Sequence, residues 1–248
     1  MKDLKLIKNL EVKLEAKTLV LTVKKRCTVE IISAKFLAKK IKVIVQAGAK
    51  LNLLISRTQL KPENWKFVLQ EQSQLAQVIY LKNQSALQFS QQFSLVGRQA
   101  SQQTLLAGQF KAGQTKIDLA VKQLARQTSS QIIIKALAES NGQTQITVDN
   151  LITKVATESL ANITQQSLIL SPQAQVIIRP NLVINNNEVL ASHAATLGDL
   201  DNQALIYLQE RGLTYMQAKE LLVQSFFRPL LHQLNSATIK SAFCKLIS

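Results

Sequence analysis

The stretch that decides the fold is KAGQTKIDLAV, from Lys111 to Val121, where a turn of small residues leads straight into an alternating segment. Ile117, Leu119 and Val121 occupy every second position. A period of two is typical of a β-strand that buries one face and exposes the other. The stretch therefore predicts a short strand that follows directly on a tight turn at Gly113.

The same unit recurs from Lys5 to about Leu182. Repetition of a short strand and a tight turn favours a solenoid in which each coil stacks on the previous one. A β-sandwich or barrel predicts similar short strands, so the pattern alone leaves these architectures open. The further strands are predicted at 19–23, 42–45, 51–55, 131–134 and 176–178, and the turns at 46–49, 83–86, 141–142 and 171–174.

After Leu197 the period changes from two to 3.6 residues. The segment Gly198-Asp199-Leu200-Asp201 places aspartate at the start of a helical pattern that Gly212 ends. A second amphipathic stretch runs from residue 215 to about 234 and is disturbed at Pro229, and a last short helix is predicted at 237–247. These patterns predict a β-domain of residues 1–197 and a helical C-terminal domain of residues 198–248.

The charge of the chain is +15 and lies mostly in its first quarter, where residues 1–66 hold 16 lysines and arginines against five acids. Such an excess attracts polyanions, and one hypothesis is a basic polyanion- or nucleic-acid-binding solenoid. Stacking aromatics, which accompany charge in single-strand binders, are missing around these cations, so nucleic acid is the less favoured partner. The cations concerned are Lys24, Lys25, Arg26, Lys39, Lys40 and Lys42.

Other function classes find little support in the residues. No apolar run reaches the roughly 20 residues of a membrane span, and no signal-peptide core follows Met1, so we expect a cytoplasmic protein with no membrane partner. Cys27 and Cys244 are too far apart in sequence to indicate a disulfide framework or a zinc site. The 15 acids form no catalytic pair and no phosphate-binding loop is present, so we expect a protein that is not an enzyme.

One ordered set of residues carries a resemblance to a known family. The segment from Leu168 to Leu231 resembles the C-terminal core of the SufB/SufD family, which implies a mainly β, right-handed parallel β-helix with a small α-helical C-terminal region. The resemblance thus decides between the architectures that the pattern left open. The matching residues are 168–171, Ala174, 179–184, 192–198, 200–201, 207–208, 211–213, Ala218, 221–222 and Phe226.

The resemblance also implies a function. The small residues that follow His193 are similar to those of SufD-like members, so the chain is expected to be a scaffold subunit of the Suf iron–sulfur cluster assembly complex. It implies pairing with a SufB-like subunit, with a homodimer as the other possibility, and docking of a SufC-like ATPase on the tail. The tail residues expected to bind that partner are Tyr207, Arg211, Gly212 and Phe226.

His193 is the candidate metal ligand, because imidazole binds iron or zinc and the resembling position lies at the family's subunit interface. The other interpretation is a histidine that hydrogen-bonds backbone where the β-helix meets the helices. No cofactor is expected to bind stably, but a transient Fe–S cluster or iron could lie at the shared interface. Three departures from the family leave cluster assembly itself open: Ala191 stands where SufD-like members often have cysteine, residues 121–126 hold no histidine, and the usual long N-terminal region is missing.

Overall fold

The computed structural model describes residues 8–15, 17–32, 39–57, 63–83 and 85–247, and within them the chain is a run of strands followed by helices. The predicted start of the strand pattern at Lys5 and position 84 of one predicted turn lie outside these residues. The strands are β1 (Leu10–Glu15), β2 (Thr18–Val23), β3 (Thr28–Ile32), β4 (Lys40–Val45), β5 (Lys50–Arg57), β6 (Glu63–Leu69), β7 (Gln74–Asn83), β8 (Leu87–Leu95), β9 (Ser101–Phe110), β10 (Gln114–Gln123), β11 (Ser129–Ala138), β12 (Gln143–Ile152), β13 (Ser159–Ile169), β14 (Gln175–Ile184) and β15 (Val189–Asp199). The helices are α1 (Asn202–Glu210), α2 (Tyr215–Phe227), α3 (Pro229–His232) and α4 (Ala237–Ile247).

From β2 onward, successive strands alternate between two sheets. Sheet A has the order β1-β2-β4-β6-β8-β10-β12-β14, and sheet B has the order β15-β13-β11-β9-β7-β5-β3. All neighbours are parallel except β1 and β2, which pair antiparallel at one end. The predicted parallel β-solenoid is therefore confirmed, while its right-handed coiling stays a prediction.

The coils widen along the chain. Thr18 is in register with Lys40, whereas Gln143 is in register with Gln175, so one coil lengthens from 22 to 32 residues. The strands lengthen in parallel, from 6 residues in β2 to 11 in β15. The C-terminal end of the solenoid is consequently the wide end.

In the coils from β2–β3 to β12–β13, the corner that leads from sheet A to sheet B contains a residue in the left-handed backbone region. Glycine occupies this place only at Gly48, and glutamine or another long side chain occupies it in the other coils of this range. Side-chain hydrogen bonds tie these long residues together: Gln127 Oε1 accepts from Gln99 Nε2 at 3.3 Å, and Gln127 Nε2 donates to Glu158 Oε2 at 2.7 Å. These bonds offset part of the cost of a positive φ, which L-residues avoid. The stacked corner residues are Arg26, Gly48, Gln72, Gln99, Gln127 and Glu158, with φ between 53° and 65°.

The interior between the sheets is apolar, with the rings of Phe67 and Phe93 stacked 4.9 Å apart. It also contains a buried polar chain. Gln77 Nε2 donates to Thr104 Oγ1 at 2.8 Å, and Gln102 Nε2 donates to Ser130 Oγ at 2.8 Å. Buried amides need such partners, so polar residues on the inward face of a strand are stable here only because neighbouring coils supply them.

The helices fold back onto the outer face of sheet B and form a second core. Phe227 and Phe243 are fully buried against strands of that sheet, and Phe243 meets the ring of Tyr80 edge-on at 6.4 Å. The three predicted helical stretches are present, with Asp201 as the N-cap of α1 and a break before Pro229. Because β15 ends at Asp199 and the helices share a core with the solenoid, the division into two domains at 197/198 stays a prediction.

Candidate functional site

The wide end of the solenoid is open. β14 and β15 are the last strands of the two sheets, and in the described part of the chain no strand pairs with their outer edges. Ile146 and Val148 of β12 are fully buried, but their register partners Ile178 and Pro180 on β14 are only half-buried. The inward faces of both terminal strands therefore form an exposed mouth with unpaired backbone edges, which is where another strand can add.

His193 lies in the middle of β15, on the inward face at this mouth. It is in register with Ile163, which is fully buried, yet His193 itself is exposed because no further coil covers it. Ala191 lies two positions earlier on the same face and packs on the small apolar cluster around Ala161. The position is thus central in an edge strand and not at the junction with the helices.

Around His193, the described residues do not assemble a group of potential metal ligands. Within residues 8–15, 17–32, 39–57, 63–83 and 85–247, no group of three or more His, Cys, Asp or Glu side chains comes together. A metal normally takes four or more ligands from such groups. The described residues therefore hold no complete ligand set for an iron ion or cluster at His193.

Two buried polar side chains lie on the strand next to the mouth, and they were not predicted from the sequence. Gln165 and Ser167 are 1% and 2% exposed, and Gln165 Oε1, Gln165 Nε2 and Ser167 Oγ have no hydrogen-bond partner among the described residues. They are in register with Ala195 and Leu197, next to His193 on β15. The available signal was the appearance of Gln and Ser at inward positions where the preceding strand has Ile134 and Ala136.

The helices carry a second exposed surface, which we call the helix face. Tyr207 is 54% exposed, and the guanidinium of Arg211 lies 5.2 Å from its ring centroid. Gly212 ends α1 with a φ of 91°. The two helices that carry the exposed apolar side chains are in contact, and exposed apolar surface of this kind is typical of an interaction surface. The helix face consists of Ile206, Tyr207, Tyr215, Met216 and Leu221.

Phe226, the fourth tail residue predicted to bind a partner, lies elsewhere. Its ring is half-buried in the seam between α2 and sheet B, where Lys135 Nζ lies 4.3 Å from the ring centroid and Phe227 packs edge-on at 5.4 Å. The structure therefore brings Tyr207, Arg211 and Gly212 together and separates Phe226 from them.

The basic residues do not form one site. Lys24, Lys25 and Arg26 lie at the corner between β2 and β3, while Lys40 and Lys42 lie on the outer face of β4. Aromatic side chains of the described solenoid strands, including Trp65 and Phe89, are buried, so none is available for base stacking. Among the helices that the structure describes, none is long and apolar enough to cross a membrane.

Comparison with known proteins gives one family. The family model described as "SUF system FeS cluster assembly, SufBD core domain" matches residues 6–226, which include the solenoid, α1 and nearly all of α2. The resemblance read from residues 168–231 is confirmed by this match.

Curated relatives are similar over part of the chain. Protein ABCI7, chloroplastic, of Arabidopsis thaliana is 35% identical over 101 residues, 41% of this chain and 21% of that protein. Iron-sulfur cluster assembly protein SufD of Bacillus subtilis is 34% identical over 91 residues, 36% of this chain and 21% of that protein. The Escherichia coli protein of the same name is 30% identical over 77 residues, 31% of this chain and 18% of that protein. The matched stretches thus span about a fifth of the length of these relatives.

Proposed function

Because the chain belongs to the SufBD core domain family of the SUF iron–sulfur cluster assembly system, we propose that it is a SufD-like scaffold subunit of a cluster assembly complex. It catalyses no reaction itself, and ATP hydrolysis belongs to a partner. The observation that carries the proposal is the family match over residues 6–226, which includes both the open mouth and the helix face. Relatives named SufD support the subfamily.

The open mouth binds a SufB-like subunit in this proposal. Two sheets end there with unpaired edges, and half-buried Ile178 and Leu182 line the inward side of β14. A second solenoid with a similar end covers these apolar side chains and continues both sheets, which removes the aggregation risk of open edges. A second copy of this chain meets the same geometric conditions, so the homodimer is the competing outcome.

The helix face binds a SufC-like ATPase. It is exposed and apolar, and Arg211 at its side adds a cation stacked on Tyr207. Tyr and Arg side chains are enriched among the residues that dominate binding energy at interfaces. Because the mouth and the helix face lie on different elements, both partners can bind at once.

His193 contacts the iron or the nascent cluster, which is the cargo of the complex. The neutral imidazole is a suitable iron ligand, and its exposed position on the mouth places it at the proposed subunit boundary. The remaining ligands come from the SufB-like chain, since Ala191 offers none. The cluster is transient, because a site divided between two subunits opens when they separate.

The two surfaces can be tested independently. The full chain is co-expressed with the SufB-like and SufC-like proteins of its own cell, and complexes are quantified by tagged purification and mass spectrometry. Tyr207→Asp on the helix face is expected to lose the ATPase and retain the SufB-like chain, and Leu197→Asp at the mouth is expected to do the reverse. Leu14→Asp is the control, because Leu14 is 60% exposed on β1 at the other end. Loss of both partners with either variant, or of neither, contradicts the assignment of surfaces.

The histidine has a matched control within the chain, which holds two histidines, His193 and His232. His193→Asn and His232→Asn are compared for bound iron and for the visible absorption of the purified complex after reconstitution. Only His193→Asn is expected to lower both signals while the subunits stay together. Equal signals from the two variants would remove His193 from the cluster site.

A further inference from the structure

A cavity of about 300 Å³ lies at the seam between the helices and the solenoid, away from the mouth. Its floor is the outer face of sheet B near the carboxyl ends of β7, β9 and β11, and α2 and the end of α4 form its walls. Leu137, Leu170, Val223 and Ile247 make one part of its lining apolar. Its volume is at the lower end of the range of small-molecule sites.

The side chains that line this cavity carry more positive than negative charge. Glu139 is shared by two cations, with Lys219 Nζ at 2.9 Å and Lys111 Nζ at 3.1 Å. The side chains of Lys219 and Glu139 are 20% and 18% exposed and that of Lys111 is 41% exposed, so the Lys219–Glu139 pair is largely shielded from water. Lys82 adds another cation to the lining, and the more exposed Glu220 is the other carboxylate. Two cations on one carboxylate leave a partly desolvated positive charge, which favours an anion.

Tyr80 supplies a second, independent pointer to a ligand. The residue is 3% exposed and lines the cavity, yet its hydroxyl has no hydrogen bond to any described residue. Burial raises the pKa of Tyr80, so the hydroxyl keeps its proton at neutral pH and is available as a donor. A tyrosine hydroxyl that opens onto a cavity can donate a hydrogen bond to a ligand there.

We propose that this cavity, which we call the seam cavity, binds a small amphiphilic carboxylate. The carboxylate lies between Lys219, Lys111 and the Tyr80 hydroxyl, and its hydrocarbon part lies against Leu137, Leu170 and Val223. Charge-assisted hydrogen bonds from the lysines select an anionic head, and the apolar wall selects a tail of several carbons. The ligand bridges α2 and sheet B and holds the helices on the solenoid. The proposal does not depend on the function proposed above.

The probe is decanoate below its micelle concentration, titrated into the full chain by calorimetry, with decyltrimethylammonium as the cation of equal chain length. Decanoate is expected to bind in a 1:1 ratio and at least tenfold more tightly than the cation. Equal binding of the two, or no binding of decanoate up to its solubility, would overturn the proposal.

Substitutions of residues that line the seam cavity test whether decanoate binds there. Lys219→Gln is expected to weaken decanoate binding at least fivefold, and Tyr80→Phe to weaken it measurably with the cavity volume kept. Glu139→Gln removes the competing carboxylate and is expected to strengthen binding severalfold, a gain that a merely structural role would not produce. Lys116→Gln is the control, because it removes one lysine from sheet A, outside the seam cavity. Unchanged affinity in Lys219→Gln, or the same loss in Lys116→Gln, contradicts the assignment.

Discussion

The ammonium group of Lys135 lies 4.3 Å from the ring centroid of Phe226, so a cation of strand β11 is stacked on an aromatic ring of helix α2. Lys135 is 8% exposed and donates to Gln166 Oε1 at 2.6 Å, and it forms no ion pair with a carboxylate in the described residues. Burial lowers the pKa of Lys135. The contact between the helices and the solenoid therefore contains a buried charge that only neutral groups stabilise.

This contact predicts how stability depends on alkaline pH. Because the pKa of Lys135 is lower in the folded chain than its ordinary 10.5, the unfolded chain binds more protons between the two values. The free energy of unfolding contributed by this group therefore rises with pH in that window. Lys135→Met removes the rise and leaves stability at pH 7 within about 1 kcal/mol, since relief from desolvation offsets the lost hydrogen bond. Urea unfolding at several pH values up to 10.5 measures both quantities.

The control for this experiment is Lys116→Met, which removes a lysine whose side chain is 53% exposed on sheet A. Its stability relative to the wild type should stay constant over the same pH range. An alkaline rise that persists in Lys135→Met would show that another group causes it.

Glu139 predicts a pH dependence of stability with the same sign, but in the acid range. Burial alone raises the pKa of Glu139, but hydrogen bonds from Lys219 and Lys111 and the charges of both lysines outweigh it, so the pKa lies below the ordinary 4.5. Its stabilising contribution is present above pH 4.5 and is lost as the pH falls through the lower folded value. In Glu139→Gln this acid-dependent part should be missing from unfolding curves, whereas Glu188→Gln, an exposed carboxylate elsewhere, should keep it. Parallel acid curves for the wild type and Glu139→Gln would count against the ion pairs.

Gly97 and Gly198 are expected to differ strongly in how well each tolerates substitution by alanine. A Cβ atom at Gly97 would lie 2.0 Å from the backbone nitrogen of Glu71 in the adjacent coil, so Gly97→Ala forces two coils apart. At Gly198 the nearest atom is Leu168 Cδ2 at 3.7 Å, an ordinary contact. Gly97→Ala is expected to lose about 4 kcal/mol or to fail to fold, and Gly198→Ala to stay within about 0.5 kcal/mol of the wild type. Chemical unfolding of the two variants side by side checks this, and equal losses would contradict the packing at the corner.

The N-cap of α1 predicts a local effect. Asp201 Oδ1 accepts hydrogen bonds from the backbone nitrogens of Gln203 at 2.9 Å and Ala204 at 3.0 Å. Asp201→Ala should cost α1 about 1 kcal/mol, which accelerates amide exchange in this helix about fivefold. Asp199→Ala, two residues earlier at the end of β15, is the control and should leave exchange in α1 unchanged. Leu205 is the only residue of α1 that is buried, so packing against the rest of the chain contributes little to this helix. Amide exchange in α1 therefore reports on the stability of the helix itself.

Some parts of this architecture follow from the residues themselves. The alternation around Ile117 and Leu119 predicts a strand. Asp201, Gly212 and Pro229 lie at positions where helices begin or end in the structure. These features are local, because a strand period and a helix cap depend on residues within a few positions of one another. The corners at Gln72, Gln99 and Gln127 were not predicted: these glutamines adopt the same left-handed backbone as Gly48, and neighbouring coils supply their hydrogen bonds.

The sequence by itself determined the strands, the turns and the helix ends. Through one ordered set of residues around His193, it also determined the family to which the chain belongs. Only the tertiary structure decided which residues meet. It placed His193 on an open mouth, in the strand next to the buried Gln165, and it placed the ring of Phe226 against Lys135. It also joined Glu139 and Lys219, 80 residues apart, at the seam cavity. Such pairings depend on how many residues each coil contains and on where the helices fold back, and a local pattern contains neither quantity.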